Sequence, residues 1–306
     1  MPSLQKAEFV ERNHCINCNS KHLSEISHGR FADPPLADFL AADPWGESPV
    51  PYLQEATWVL VRCSDCQQMF HKRILNAEWN ERRFTKWMSA DAIKEFEDRR
   101  GISSISYKFN RARGYIEHIL RIEQLIRSVS SGQSIRLLDF GCGFGRFVDM
   151  CERFGFDAVG VDRATPRIEG AVAKIYASLE DVSTVARFHA ITLFEVLEHL
   201  DEPAIILKQL GERLMSGGLL ILETPDCEGV TGIKTRRDYD LVHPLEHINA
   251  FTHETLISIA ERQGFRLIKK RAPAYVTAER IRVLKREAKH LLGRDGNSTQ
   301  LYFRKT

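Results

Sequence analysis

The chain has 306 residues, 43% of them hydrophobic and 27% charged, with a formal net charge of +2. That length holds one large α/β domain and a small accessory unit, and leaves no room for three domains. The near-neutral charge removes any bulk electrostatic case for a nucleic acid or a membrane, and no stretch reaches the roughly 20 apolar residues of a bilayer span.

Residues 1–75 hold two CxxC pairs, Cys15-Ile16-Asn17-Cys18 and Cys63-Ser64-Asp65-Cys66, together with loop-forming prolines (Pro34, Pro35, Pro44, Pro49, Pro51). Each pair sets two thiolates on one tight turn, and two such turns give a closed four-cysteine site for a structural zinc. The expected ligands are Cys15, Cys18, Cys63 and Cys66. Redox use of the pairs is the alternative, and neither pair follows the βαβ start that such use requires. The total of seven cysteines is odd, and Cys142, Cys151 and Cys227 read as ordinary buried or loop residues. Met1 to Arg12 is polar without a secretory hydrophobic run, so the expected compartment is the cytoplasm, where metal is favoured over disulfides.

Residues 76–132 read as a helical connector, with an apolar stripe through Ile116, Ile119, Leu120 and Ile126 and a break at Ser128–Gly132. From 133 to 306 the pattern alternates between strand and helix. Strands are expected over 135–140, 158–161, 191–194 and 219–223. Phe147, Met150, Cys151 and Phe154 share one face of a helix, and Pro203 to Leu214 forms another. A helix over 253–263, a strand over 265–272, a basic helix near 277–292 and a strand near 298–304 complete the chain. Such alternation predicts a parallel sheet with helices on both faces.

The strongest signal is Leu137-Leu138-Asp139-Phe140-Gly141-Cys142-Gly143-Phe144-Gly145, a strand that runs through a glycine turn into a helix. Glycine lets the backbone turn sharply and lets a ligand approach where a Cβ would stand. Dinucleotide-binding domains use a similar loop, and two acids discriminate. Asp139 stands just before the glycines, where a carboxylate attracts a positively charged amino-acid moiety and repels a pyrophosphate. Asp162 closes the next strand, where it can accept hydrogen bonds from both ribose hydroxyls. The segment resembles motif I of the class I S-adenosylmethionine-dependent methyltransferases. That resemblance covers about 134–306 and implies a Rossmann-like, doubly wound α/β sheet of seven strands, the last antiparallel. It implies that Asp139, Gly141, Cys142, Gly143 and Gly145 line the methionine end of S-adenosyl-L-methionine and that Asp162 binds the ribose. Ser178, Leu179 and Glu180 would border the adenine.

Leu193-Phe194-Glu195-Val196-Leu197-Glu198-His199-Leu200 resembles the segment after that family's fourth strand. Two readings stay open. In one, Phe194 and Glu195 pack beside the cofactor and His199 orders the loop. In the other, Glu195, Glu198 and His199 converge on one helical face, and a later histidine completes a site for a second divalent metal. The second arrangement resembles the small-RNA 2′-O-methyltransferases and the ubiquinone-pathway O-methyltransferases. The later histidine is His247, with Glu246 beside it. Histidine suits general-base work near neutral pH, so His247, with His199, is expected to take the acceptor's proton. His243, next to Pro244, reads as a turn residue.

Together, the four-cysteine module, the glycine loop and a late Glu-His pair followed by an aromatic resemble the zinc-ribbon deoxysugar C-methyltransferases. The Glu195–His199 segment departs from them, which leaves O-methylation open. The implied acceptor is a small hydroxylated molecule, a sugar or nucleotide-linked sugar. Arg280, Arg282, Lys285, Arg286, Lys289 and Arg294 crowd one segment that reads either as a solvated helix face or as a contact for a phosphorylated acceptor. RNA 2′-O-methylation and a non-catalytic zinc-ribbon binding protein are the alternatives. The missing aromatic interleaving argues against RNA.

Overall fold

An apolar run that ends on a glycine turn makes the strand Arg136–Phe140, whose Leu137 and Leu138 are fully buried. It is an inner strand of a seven-stranded sheet in the computed structural model, which describes residues 5–127, 134–164, 168–269, 288, 289, 291 and 298–305. In chain order the strands are Arg136–Phe140, Asp157–Val161, Ile175–Tyr176, Phe188–Phe194, Leu214–Pro225, Phe265–Leu267 and Ser298–Lys305. Numbered one to seven, they lie in the order 6-7-5-4-1-2-3. The 1–2, 2–3, 1–4 and 4–5 pairs are parallel, and the 6–7 pair is antiparallel. Strand order reverses between strands 1 and 4, and ligands of doubly wound sheets bind beyond the carboxyl ends at such a switch point.

Helix Arg146–Arg153 buries Phe147, Val148 and Cys151 in the same apolar core as Ile119, Ile122 and Ile126 of the long helix Ile105–Arg127. Helix Pro203–Arg213 runs directly into strand 5, and the expected stop at Gly217-Gly218 is a register irregularity between Leu214 and Leu219. Strand 6 ends at Leu267, short of the expected 272. The break at 128–132 and Arg280, Arg282, Lys285, Arg286 and Arg294 lie outside the described residues. Lys289 is described and exposed.

The chain packs as two compact units that cut across the linear division at 75 and 132. The sheet unit comprises Ser104–Val196, Ile205–Thr224 and Gln263–Thr306; the cysteine unit comprises Met1–Ser103, Leu197–Ala204 and Pro225–Arg262. In the cysteine unit, Leu23–Arg30, Thr57–Cys63 and Met69–His71 form an antiparallel sheet, to which Asn249–Ala250 adds a fourth strand against Met69 and Phe70. Its core gathers Trp58, Trp79 and Trp87 with Tyr239, Val242 and Leu245, and Trp45 packs against it. Local signals set its helices: the Asn76 side chain accepts the Trp79 N–H at 2.9 Å to start Ala77–Arg82, and a Thr235/Asp238 capping box starts Arg236–Leu241. Among the described residues, no helix is long and apolar enough to cross a membrane.

Candidate functional site

Within the sheet unit, Asp139 of strand 1 stands in register with Thr192 of strand 4 and accepts its hydroxyl at 2.6 Å. Burial pushes the Asp139 pKa up to about 7, against the Thr192 hydrogen bond and the charge of Arg111. Gly141, Gly143 and Gly145 follow with φ of 76°, 57° and 73°. Their reasons differ. A Cβ on Gly141 would overlap the Val196 side chain, whereas one on Gly143 would meet nothing within 4 Å. Among the described residues, no side chain fills the space at Gly143, as a ligand cradle requires. Asp162, buried at the end of strand 2, accepts the Gly143 and Ala164 N–H groups, each at 2.9 Å, which fixes its carboxylate. A Cβ on Gly160 would overlap the Cys142 sulfur, so that side chain packs down on strand 2. In the third region, Ser178 bonds Asp181, and the Arg213 guanidinium donates to the carbonyls of Leu179, Val182 and Ser183. Glu180 is exposed there.

Helix Ile105–Arg127 carries a polar set that the apolar stripe did not reveal. Arg111 Nε donates to the Tyr115 hydroxyl at 3.1 Å, and the guanidinium lies over that ring. One turn on, the His118 ring is 4.7 Å from that of Phe194 and 3.6 Å, Nε2 to Oε2, from the Glu223 carboxylate. Its Nδ1 is 2.9 Å from the Tyr302 hydroxyl. Phe194 thus belongs to a ring cluster with His118 and Phe147.

Strand 4 ends sharply. Glu195 has φ of 57°, a left-handed conformation that costs a side chain about 1–2 kcal/mol, and its N–H bonds the Glu223 carbonyl at 2.8 Å. A short 3₁₀ turn, Leu197–His199, follows. The helical i, i+3 relation expected between Glu195 and Glu198 is therefore absent. The metal-competent group there is Glu198, His199 and His247, without Glu195, with ligand atoms within 4.8 Å of one another.

All three belong to the cysteine unit. His199 Nδ1 is 2.8 Å from the Glu246 carbonyl. A carbonyl only accepts, so Nδ1 carries a proton, and Nε2 lies 3.8 Å from the buried Glu198 carboxylate. Glu246 acts on this cluster through its backbone. The His247 ring stands edge-on to His199 at 4.8 Å. Burial pushes the His247 pKa down to about 4, against the pull of the Asp240 and Leu241 carbonyls. Its Nδ1 is buried without a hydrogen bond of ordinary geometry. His243 is wholly structural: Leu245 N–H donates to its Nδ1, which leaves Nε2 to donate to the Tyr239 hydroxyl at 2.6 Å. That hydroxyl in turn donates to Asp43 at 2.6 Å.

The four expected cysteines converge. Sγ separations are 3.5 Å for Cys15–Cys66 and for Cys18–Cys63, and all four sulfurs lie within 4.8 Å. A tetrahedral zinc with Zn–S near 2.3 Å places sulfurs about 3.8 Å apart, while a disulfide needs about 2.05 Å. The two turns match one another. Asn19 and Gln67 are left-handed at φ of 61° and 62°, and each donates its N–H at 2.9 Å to the carbonyl of the first cysteine of its pair.

A family model described as a methyltransferase domain matches residues 107–270, more than half of the chain. The chain is similar to the ubiquinone biosynthesis O-methyltransferase of Bradyrhizobium diazoefficiens, 28% identical over 145 residues that cover 42% of this chain and 56% of that protein. Similarity to the enzyme of that name from Cereibacter sphaeroides is 34% over 105 residues, 30% of this chain and 42% of the other. The chain spans about half the length of the curated relatives it matches. Among solved structures, a SAM-dependent methyltransferase from Archaeoglobus fulgidus aligns over 63% of this chain and 94% of that one, with TM-score 0.44 and 19% identity.

Proposed function

We propose a function for this chain from one premise: it belongs to the family of methyltransferase domains. The reaction is methyl transfer from S-adenosyl-L-methionine to an oxygen of a small hydroxylated acceptor. The names of the curated relatives support oxygen as the methylated atom. The resemblance to zinc-ribbon deoxysugar enzymes supports a sugar or nucleotide-linked sugar as the acceptor.

The sheet unit fits the cofactor. Asp139, whose ionised form is disfavoured by burial, gains a counter-charge from the ammonium of the amino-acid end. Asp162 holds the ribose, and Gly143 leaves the space for it to enter. S-adenosyl-L-methionine, when bound, supplies an electrophilic methyl group. The acceptor proton is assigned to the histidine cluster. His199 Nε2 accepts it, Glu198 steadies the resulting imidazolium, and the Glu246 carbonyl keeps the ring in the required tautomer. His247, the other histidine expected to take the proton, stands edge-on to His199 at 4.8 Å. Cys15, Cys18, Cys63 and Cys66 hold one structural zinc.

The observation that carries this reading is the hydrogen bond from His199 Nδ1 to the Glu246 carbonyl, at 2.8 Å. His199→Ala is expected to lower kcat by about 10²–10⁴ while the affinity for S-adenosylhomocysteine holds. Unchanged turnover in that variant would remove the histidine from the chemistry. No turnover of any sugar or phenolic acceptor by zinc-loaded, cofactor-bound protein would favour the non-catalytic alternative.

A second reading has its own observation: Glu198, 1% exposed, has a carboxylate oxygen within 4.8 Å of a ring nitrogen of each of His199 and His247. A buried carboxylate calls for a cation. Those three groups would hold a divalent metal that lowers the acceptor hydroxyl's pKa. Activity that survives EDTA dialysis with the zinc retained would eliminate it.

A further inference from the structure

The candidate histidine cluster stands on two short segments. The 3₁₀ turn Leu197–His199 and the loop around His247 are brief and irregular, and something must hold them in register. The structure points to a single side chain far away in sequence. Arg12 donates through Nε and Nη2 to the His71 carbonyl at 3.0 and 2.6 Å, and through Nη2 to the Ile248 carbonyl at 2.7 Å. Nη1 donates to Asn249 Oδ1 at 2.7 Å and reaches the Asp201 carbonyl at 3.5 Å. Every N–H of the guanidinium is thereby used. The group also lies 4.9 Å over the Phe70 ring.

The far ends of those bonds are informative. Asn249 is fully buried, and its Nδ2 donates to the carbonyls of Leu197 and Leu200 at 2.9 and 2.7 Å. Those two carbonyls bracket Glu198 and His199. Ile248 directly follows His247, and its carbonyl accepts from the His71 N–H at 2.9 Å as well as from Arg12. His71 and Phe70 belong to the strand that leaves the second cysteine turn, and Gln68 of that turn donates to the Ala250 carbonyl at 2.8 Å. From the first cysteine turn, Asn17 Nδ2 donates to the Thr255 carbonyl at 3.2 Å. Both cysteine turns therefore grip the segment that carries His247.

We propose that Arg12 is a positioning residue: its guanidinium, through Asn249 and the His71 and Ile248 carbonyls, locks the Glu198-His199 turn and the His247 loop to the cysteine-ligated sheet. Arg12 touches neither cofactor nor acceptor in this role. The inference rests on the proposed function only for the consequence in turnover. Its structural content stands apart from that reading.

The test compares wild type with Arg12→Met in the full-length, zinc-loaded chain, with nitrogen-labelled histidine followed by NMR. In wild type the His199 ring should show Nδ1 protonated and Nε2 bare. In Arg12→Met that signature should be lost, with zinc content and S-adenosylhomocysteine affinity retained and kcat lowered on the order of 10²-fold, as a misplacement of about 1 Å would give. An unchanged His199 signature with zinc retained overturns the proposal. Should Arg12→Met fail to fold, Arg12→Lys answers the same question, because lysine keeps the charge and loses the planar fork. A lost signature in Arg12→Lys supports the proposal, and an intact one overturns it. If the signature shifts in a protein whose wild type methylates nothing, Arg12 keeps its role and the catalytic reading falls.

Discussion

The cofactor role proposed for Asp139 opposes stability at a single residue. Its carboxyl has a pKa near 7 in the folded chain against an ordinary 3.8. Between those values the folded state binds more protons than the unfolded one, so stability falls as pH rises through the window. Asp139→Asn is expected to raise the melting temperature at pH 8, by an effect on the order of a few kcal/mol that vanishes near pH 4. The same substitution should abolish cofactor binding. In wild type, a bound ammonium returns Asp139 to its ionised form, so titration with S-adenosylhomocysteine near pH 6.5 should release protons. Calorimetry in buffers of different ionisation enthalpy would detect that release, and no difference between buffers would count against the pairing. Short polar motifs single out Asp139, Asp162 and His199 in the sequence as candidates. Arg111, Tyr115, Arg12 and Asn249 were not legible, because charged or polar side chains at helical spacing or in a polar terminus read as solvated faces. Their roles depend on partners brought in by the tertiary fold.

The glycine loop separates two effects of adding a methyl group at the scale of an element. Gly141→Ala meets the Val196 side chain and is expected to destabilise the sheet unit outright. Gly143→Ala meets no atom of the described residues within 4 Å, so its stability loss should stay near the 1–2 kcal/mol of its left-handed backbone. Its loss of cofactor affinity should be much larger. Equal losses of affinity and stability in Gly143→Ala would mean that the space is not the ligand's. Strands 1, 2, 4 and 5 were legible because fully buried parallel strands are continuous apolar runs. Strand 3 has only Ile175 and Tyr176, and the strand Asn249–Ala250 exists through its pairing with Phe70 and Met69. Two residues carry no period, so neither could be read from local pattern.

At the scale of the molecule, a linear reading makes the cysteine segment an accessory that precedes a catalytic domain. The packing is different. The chain leaves the sheet unit after strand 4 and again after strand 5, and both excursions fold with the cysteines. Contiguity along the sequence is the default expectation for a domain, and only non-local pairing overrides it. Zinc extraction, or Cys18→Ser, is therefore expected to expose amides of 225–262 to hydrogen exchange together with those of 57–71, while strands 1 and 2 stay protected. Protection of 225–262 in zinc-free protein would contradict that unity. The cysteine unit should also be acid-sensitive. His71 is buried, with its pKa pushed by burial to about 4, and His243 lies well below its ordinary 6.5. The unfolded chain takes up these protons first, so stability present above pH 6.5 is lost as pH falls toward 4.

Trp45, Trp58, Trp79 and Trp87 are all the tryptophans of the chain, and all lie in the cysteine unit. Intrinsic emission is therefore a reporter for one half of the molecule. A melt followed by tryptophan light tracks the cysteine unit and leaves the sheet unit dark. A single clean transition by fluorescence would say nothing about cooperativity between the halves. Only a probe that sees every residue, such as scanning calorimetry, can count how many times this protein unfolds.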